Sequence, residues 1–454
     1  AINNISAQVK SQVKESFELT SIAFRLAGAE EYINNTIPGY TADIDNYFSK
    51  YREHKLISYI KKIREEQGIA YDAVPAATGC IEIKRGKVII DPQCDASKIS
   101  MIDSRWTEES FRTFVRLLND FYRQTKFKDF YTLHRGLYDI AETRLNTILV
   151  DLNAEWFKSM FGEGPENTIV VASLCNGPGN YAFNGITKGE KRGIVIGCST
   201  DKEGNPAYSR FLITVIVHEL LHHYTNPCLA QYWSQIDSAS QIIYPHVKEK
   251  MAKLAYGSTN SMIEWFNNLL TIMYFKDNPN RGFTATHLTA WRQHEGFIWM
   301  ERSMTFMEHF RNHRNLYSTI KDFMPEIVSF VNYTASDFDN VLKEYDNKEP
   351  YITDIFPISN SILPLGIDTI QIRFSKPMFG AYGIRPLDDK RISPPYTDYQ
   401  PFWKDKYTFC IILDRSKLEK GKTYGFKLNR AFFQSEKTYP MKEDFPYTFK
   451  MPDE

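Results

Sequence analysis

The sequence predicts an α+β protein in which a mostly helical domain with a small sheet is followed by an all-β domain. Through most of the first 330 residues, apolar residues recur at three- and four-residue spacings with charges between them. Short strand-like runs interrupt this pattern near residues 80 and 167, and runs rich in Pro and Tyr replace it after about Lys348. Because 454 residues exceed the usual size of one hydrophobic core, we place a first domain at residues 1–349 and a second at 350–454. The first has a helical part over 1–165 and a part over 166–349 that carries the candidate site described below.

The N-terminal part is predicted to contain helices and one hairpin. The segments VKESFELTSIAFRLAGAEEYI and ADIDNYFSKYREHKLISYIKKIREEQG have the periodicity of amphipathic helices. The segment ATGCIEIKRGKVIIDP has two short β-rich runs on either side of Arg85 and Gly86, which predicts a hairpin. The helical pattern resumes at Thr107 and continues to about Phe161.

Strands are predicted again from residue 167, where NTIVVASLC, GPGNYAFNG and KRGIVIGCST are separated by Gly and Asn turns. From Arg210 to about Phe330 the pattern is helical. Beyond Lys348, the runs TIQIRFSKPM, YTFCIILD, TYGFKLN and PYTFK have strand composition and are spaced by turn residues. About one hundred residues with this spacing predict a β-sandwich.

The composition argues against several classes of protein. Lys plus Arg and Asp plus Glu both total 55, so no net charge attracts nucleic acid or an anionic membrane. No apolar run reaches the roughly 18 residues of a membrane-spanning helix. The six cysteines form no CxxC pair, which argues against a zinc ribbon and leaves disulfide pairing unassigned.

The segment FLITVIVHELLHH predicts a metal site. His218 and His222 are four residues apart, so on a helix they project from one face and can share one ion. A catalytic zinc needs a third protein ligand and keeps one position for water. Glu219 lies beside that open position, where it can accept a proton from the zinc-bound water as the water attacks a carbonyl. His223 points about 100° away from His222, so we expect it beside the ligands or at the surface.

The third ligand is expected from a later helix. We expect the first helix to end at Asn226 and Pro227, because proline cannot continue it. The extended pattern HExxHxxGxxH is excluded, since Thr225 and Cys228 occupy its Gly and His positions. Glu264 is the favoured ligand because it is the one acidic residue in the apolar segment SMIEWFNNLLTIMYF. The alternatives are three other carboxylates and one imidazole: Glu295, Glu301, Glu308 and His246.

An HExxH helix followed by a helical glutamate resembles the gluzincin branch of zinc metallopeptidases. More narrowly, the sequence resembles the bacterial DUF4932 family, through ELTSIAFRLAGAEEY, HELLHHYTNP, MIEWFNNLLTIMYF and HFRNHRNLYSTIKDFMPEIVSFV. The resemblance implies a zincin-like domain that binds Zn2+ through His218, His222 and Glu264, with Glu219 as general base. This sequence departs from the family around Glu264, where EWFNNLL replaces a segment that often includes an arginine. The family's substrate contacts in this segment are therefore not carried over.

The resemblance also implies the substrate contacts. In gluzincins an edge strand of the upstream sheet pairs with the substrate backbone, and GPGNYAFNG, with Asn180 and Tyr181 near the cleft, is its counterpart. An ordinary Gly-rich turn is the alternative for this segment. Tyr317 is favoured over His294 and Arg314 as the donor to the developing oxyanion. The tail resembles a bacterial Ig-like module that is often appended to secreted enzymes.

The leading hypothesis is a zinc peptidase that acts on a peptide or protein substrate and is secreted, periplasmic or attached to the cell surface. The chain begins AINNIS without Met, so we expect either that an N-terminal signal, which could also serve surface attachment, has been removed or that the sequence has been trimmed at this end. The alternative is a non-catalytic protein on the same scaffold that binds peptide or glycan at the surface. A third hypothesis is a structural surface component in which HExxH is accidental, and it predicts no metal.

Overall fold

A computed structural model describes residues 9–185, 191–279, 284–398 and 400–453. The N-terminal residues on which the expectation of a removed signal depends lie outside these ranges. The protein is α+β, as predicted, with about 49% helix and several small sheets. It divides into two compact units, one of residues 1–231 with 315–323 and the other of residues 232–314 with 324–454. The predicted domain boundary at residue 349 stays a prediction.

Between residues 9 and 161, the first unit contains nine α-helices, with strand β1 (Ser11–Gln12) before them and one hairpin among them. The amphipathic segments near the N-terminus form helices as predicted, and Thr107 caps the helix that starts at Glu108, with Ser110 completing a capping box. The helical series that begins there ends at Phe161, in agreement with the sequence pattern. These helices are α1 (Glu15–Leu26), α2 (Pro38–Tyr47), α3 (Lys55–Gln67), α4 (Ala73–Thr78), α5 (Ile99–Ile102), α6 (Glu108–Gln124), α7 (Phe127–Leu133), α8 (Arg135–Leu149) and α9 (Ala154–Phe161).

The described strands of the first unit form one four-stranded sheet and two hairpins. They are β1 (Ser11–Gln12), β2 (Ile81–Lys84), β3 (Lys87–Ile90), β4 (Thr168–Ala172), β5 (Asn180–Gly185), β6 (Lys191–Ile196), β7 (Ser199–Thr200) and β8 (Pro206–Ala207). The predicted hairpin is confirmed as β2–β3. Its two turn residues, Arg85 and Gly86, both have positive φ, as a tight hairpin turn requires.

The four-stranded sheet has the order β1-β4-β6-β5. β4 is parallel to β1 and β6, whereas β5 is antiparallel to β6 and lies at the edge. The strands predicted from residue 167 are therefore confirmed, and GPGNYAFNG contains an edge strand rather than only a turn. Phe17 of α1 contacts Phe183 of β5 with ring centroids 5.2 Å apart, so α1 covers one face of this sheet.

The HELLH segment lies near the start of α10 (Leu212–Lys253), a helix of 42 residues. The expected helix end at Asn226 and Pro227 is wrong. A proline inside a helix loses one backbone hydrogen bond and costs about 3 kcal/mol, but Tyr224 and Leu229 on either side are buried, and this burial outweighs the loss. The chain instead reverses after Lys253, where Ala255 adopts a left-handed conformation.

The second unit contains the remaining described helices, which the periodicity also predicts. They are α11 (Ser258–Asp277), α12 (Ala285–Glu295), α13 (Met300–Asn312), α14 (Ile320–Ser336, whose first residues belong to the first unit) and α15 (Phe338–Tyr345). None of the helices in the described ranges has the length and apolarity needed to cross a membrane.

The C-terminal part consists of strands, as its composition predicts. They are β9 (Ile352–Phe356), β10 (Ser361–Ile362), β11 (Thr369–Phe374), β12 (Ile384–Arg385), β13 (Phe402–Trp403), β14 (Thr408–Ile412), β15 (Thr423–Leu428) and β16 (Phe445–Lys450). They form two four-stranded sheets, β10-β16-β15-β12 and β13-β14-β11-β9. Side chains from both sheets share one apolar core, including Ile372, Phe409, Phe426 and Phe449. The Ig-like assignment stays a prediction.

Candidate metal centre

The two histidines of HELLH face each other on α10. Their Nε2 atoms are 3.3 Å apart, and the rings lie at 88° with centroids 4.8 Å apart. Ile216, Val217, Leu220 and Leu221 are buried, whereas both imidazoles are only partly buried. The apolar residues therefore fix the helix in the protein while His218 and His222 remain accessible to a ligand.

The ring of His222 is oriented by Asn226, one turn further along α10. Its Nδ1 lies 3.2 Å from Asn226 Oδ1, so the ring donates from Nδ1 to the amide oxygen. Nε2 then carries the lone pair, and this is the tautomer that a metal ligand needs. The sequence pattern predicts Asn226 only as part of a helix end. The signal that could have indicated this role is its i+4 spacing from His222.

A glutamate completes this group of side chains. His218, His222 and Glu264 each offer one ligand atom, and these atoms all lie within 4.8 Å of one another. No other cluster of three such residues occurs in the described ranges. Glu264 is partly buried on α11, in which Trp265, Phe266 and the following residues to Phe275 are buried. A carboxylate in such a helix is costly unless a cation or hydrogen bonds compensate its charge.

The alternative third ligands have other partners. Glu295 accepts from Trp291 at 2.9 Å and pairs with Arg292 at 2.7 Å. Glu301 pairs with Lys348, and Glu308 pairs with Lys276 and Arg311. The ring of His246 lies 5.1 Å from that of Phe338. The structure thus brings the favoured glutamate, and none of its alternatives, together with the two histidines.

The donor set fits a tetrahedral zinc ion. Histidine nitrogens bind zinc at about 2.0–2.1 Å, which separates two of them by about 3.3–3.4 Å in a tetrahedron. The Nε2 atoms of His218 and His222 already have this separation. Two nitrogens and one carboxylate oxygen are also the ligand set of catalytic zinc sites that leave the fourth position open.

Glu219 follows the first histidine and is partly buried. Its charge acts on Tyr181 of the edge strand β5. Burial, mainly, and the nearby acidic groups, Glu219 among them, raise the pKa of the Tyr181 hydroxyl to about 12. The hydroxyl therefore remains protonated at neutral pH and can donate a hydrogen bond near the proposed base.

His223 is buried, so the expectation that it could lie at the surface is wrong. It is 4% exposed and links α10 to the sheet, with Nε2 3.0 Å from Gly193 O and Nδ1 3.0 Å from the Asn184 side chain. Burial lowers the pKa of His223 to about 4, which keeps the ring neutral. Since a carbonyl only accepts, Nε2 donates to Gly193, and the Asn184 amide must present its NH2 group to Nδ1. His223 thereby fixes the helix of the histidines against β5 and β6.

Asn180 and Tyr317 are the remaining residues that the sequence predicts for the site. The Asn180 side chain donates to Pro178 O in its own turn and accepts from Gly197 N, directly after β6. Tyr317 is partly buried and packs against Phe323 at 4.8 Å. Its role as oxyanion donor stays a prediction.

The two alternatives to Tyr317 contact other groups. His294 is buried and lies 2.6 Å from a carboxylate oxygen of Glu349. Arg314 lies over the ring of Phe310 at 4.6 Å, and burial lowers its pKa. As alternative oxyanion donors, both residues stay predictions.

The chain has the features of an α+β protein with a His-His-Glu cluster, in which the two histidines come from the HExxH helix α10 and the glutamate from α11. Residues 11–330 match the model of a family described as a domain of unknown function, DUF4932. Since this match covers more than two thirds of the sequence, the chain belongs to that family. A comparison with curated proteins gives no significant match.

Proposed function

We propose that this protein is a zinc-dependent peptidase of the gluzincin type. The observation that supports the proposal most strongly is the convergence of His218, His222 and Glu264, whose ligand atoms lie within 4.8 Å of one another. The 3.3 Å separation of the imidazole nitrogens and the orientation of His222 by Asn226 agree with a metal site. The family assignment neither names an activity nor opposes this one.

The reaction requires a proton acceptor beside the ligands, and Glu219 is our candidate. A zinc ion in this site would lower the pKa of a bound water and polarise the substrate carbonyl. Glu219 would take the proton that this water loses, and would then return a proton to the leaving amine. Its position directly after His218 on α10 supports this role.

The edge strand β5 is the proposed substrate-binding element. Among the described strands it pairs with β6 alone, so we infer that the backbone groups on its other side can form hydrogen bonds with an extended peptide. His223 fixes the distance between this hairpin and α10, through Asn184 of β5 and Gly193 of β6. An antiparallel edge strand followed by the HExxH helix also supports a zincin-like fold for this region. Tyr317 remains the favoured oxyanion donor.

The C-terminal sandwich supports a location outside the cytoplasm. We infer that it is an Ig-like module appended to a secreted, periplasmic or surface-attached enzyme. Fractionation of cells that express the full-length natural gene product tests this location, and recovery in the cytoplasm alone would contradict it.

The experiment combines metal content with cleavage of a broad peptide library. The wild-type protein should bind one zinc and cleave a subset of peptides. Glu219→Gln should keep the metal and lose cleavage by several orders of magnitude, because it keeps the shape of the side chain but cannot accept the proton. The matched control is Glu249→Gln, the same substitution at an exposed position of α10, which should leave cleavage unchanged.

The other outcomes contradict the proposal in distinguishable ways. Cleavage that persists in Glu219→Gln would exclude Glu219 as the base. Zinc without cleavage by the wild type would favour the non-catalytic binding protein. A wild-type chain without metal would favour the structural surface component.

A further inference from the structure

Two of the six cysteines lie at the open end of the β2–β3 hairpin. Cys80 directly precedes β2, and Cys94 comes four residues after the end of β3. Ile81 pairs with Ile90, and Asp91 N donates to Cys80 O at 2.9 Å, so the two chain segments remain side by side beyond the strands. The hairpin thus brings the segments of both cysteines together.

Asp91 turns the chain back toward Cys80. Its backbone carbonyl accepts from Cys94 N at 2.8 Å, and its side-chain Oδ1 accepts from Gln93 N at 2.9 Å. Asp91 is itself buried, so this turn is fixed rather than freely exposed. As a result, the thiol of Cys94 hydrogen-bonds with the thiol of Cys80.

We propose that Cys80 and Cys94 are a redox pair that forms a disulfide when the folded protein meets a small disulfide oxidant. Two thiols already in hydrogen-bond contact need little backbone movement to reach bonding distance. The two sulfurs are not bonded to each other in the structure. This inference is independent of the proposed peptidase activity, since neither cysteine belongs to the metal centre.

The different exposure of the two sulfurs assigns their order of reaction. Cys80 is 1% exposed, whereas Cys94 is partly exposed. The Cys94 thiolate therefore attacks an oxidised glutathione, forming a mixed disulfide and releasing one glutathione thiolate. The Cys80 thiolate then attacks the Cys94 sulfur, which forms the protein disulfide and releases the second glutathione. Two thiol protons go to solvent, or to the glutathione thiolates, and two electrons pass to the oxidant.

The environment of Cys94 sets the rate of its attack on oxidised glutathione. Its hydrogen bond with Cys80 and its burial raise the pKa of the Cys94 thiol. Little thiolate is present at neutral pH, so the reaction is expected to be slow there and faster at alkaline pH.

The bond would connect the two ends of a hairpin that is part of the first unit's core. Val88 is buried in β3, and its backbone N donates to Asn119 of α6 at 3.0 Å. Closing the loop from Cys80 to Cys94 restricts the unfolded chain while the native hairpin stays in place. The oxidised protein is therefore expected to unfold at a higher temperature than the reduced protein.

The experiment treats the full-length folded protein with oxidised glutathione, blocks the remaining thiols, and maps the peptides by mass spectrometry. The wild type should lose the mass of two hydrogen atoms and give one linked peptide, Cys80 to Cys94. Cys80→Ser should instead retain one glutathione on Cys94, because the buried attacking thiol is missing. Cys94→Ser should react much more slowly at Cys80.

The control variant is Cys410→Ser in the C-terminal sandwich, which should form the same linked peptide as the wild type. A wild type that stays fully reduced when folded, although its unfolded form reacts under the same conditions, would overturn the proposal. A linked peptide between other cysteines would do so as well. Equal glutathione capture by Cys80→Ser and Cys94→Ser would overturn the assigned order of reaction.

Discussion

Replacing Glu18 by Gln is expected to stabilise the protein increasingly as the pH rises from 5 to 8. Glu18 of α1 is completely buried. Its carboxylate accepts from Tyr40 at 2.7 Å and from Leu174 N at 3.1 Å, and the Tyr40 hydroxyl also hydrogen-bonds with Tyr138 at 2.8 Å. These contacts offset only part of the cost of burying the charge, because burial raises the pKa of Glu18 from 4.5 to about 7.

The direction of this pH dependence of stability follows from proton binding by Glu18. Between pH 4.5 and 7 the folded protein keeps the Glu18 proton while the unfolded chain has lost it, so the free energy of unfolding falls as the pH rises. At about 1.4 kcal/mol for each pH unit between the two pKa values, the loss is about 1 kcal/mol at pH 5, about 2 at pH 6 and about 3 at pH 8. Gln imitates the protonated acid: its oxygen can accept from Leu174 N, and its NH2 group can donate to Tyr40.

Pulse proteolysis in urea, with peptides of the first unit as the readout, measures this difference at each pH. Both proteins are treated with chelator beforehand so that metal binding does not contribute. The control is Glu66→Gln, an exposed residue of α3 that lies 3.9 Å from Lys62, and it should change stability by only a few tenths of a kcal/mol. A difference between Glu18→Gln and the wild type that stays constant with pH, or a wild type that is more stable at pH 8, would refute the reasoning.

Three further predictions concern α10. His223→Ala should destabilise the first unit by about 2 kcal/mol or more in the same assay, since it leaves Gly193 O unpaired and opens a cavity. An unchanged urea midpoint of unfolding would contradict the proposed link between α10 and the sheet. Asn226→Ala should weaken zinc binding by about 10- to 100-fold, because the His222 ring loses its orienting partner. Competition with a chelating indicator measures this affinity, and an unchanged affinity would count against the role of Asn226. Pro227→Ala should stabilise the protein by about 1 kcal/mol or more, because a continuous helix regains a backbone hydrogen bond. Destabilisation by this substitution would indicate that α10 is interrupted at residue 227.

Much of the fold could be predicted from residue patterns because it depends on local periodicity. The hairpin at Arg85 and Gly86, the helical start at Thr107 and the strand runs of the C-terminal part combine a pattern of apolar residues with turn or capping residues. In the candidate site, the i, i+4 spacing of His218 and His222 places both on one helical face without any tertiary information.

The wrong expectations depend on tertiary contacts. Pro227 is a strong local signal for a helix end, but burial on both sides of it decides the outcome, and sequence periodicity does not measure that burial. Helix geometry places His223 about 100° from His222 but does not show whether that side of the helix is covered. Its partners, Gly193 and the Asn184 side chain, are 30 or more residues away along the chain.

The metal content of the purified chain tests the central claim most directly. Wild type, Glu264→Gln and Glu301→Gln are each equilibrated with one equivalent of zinc, dialysed and measured by mass spectrometry of the metal. The last variant is the matched control, since Glu301 is a carboxylate of another helix that pairs with Lys348 and lies outside the His-His-Glu cluster. We expect one zinc per chain in the wild type and in Glu301→Gln, and retention weakened by more than about tenfold in Glu264→Gln. A wild type without zinc, or Glu264→Gln that retains it as firmly as the wild type, would contradict the account.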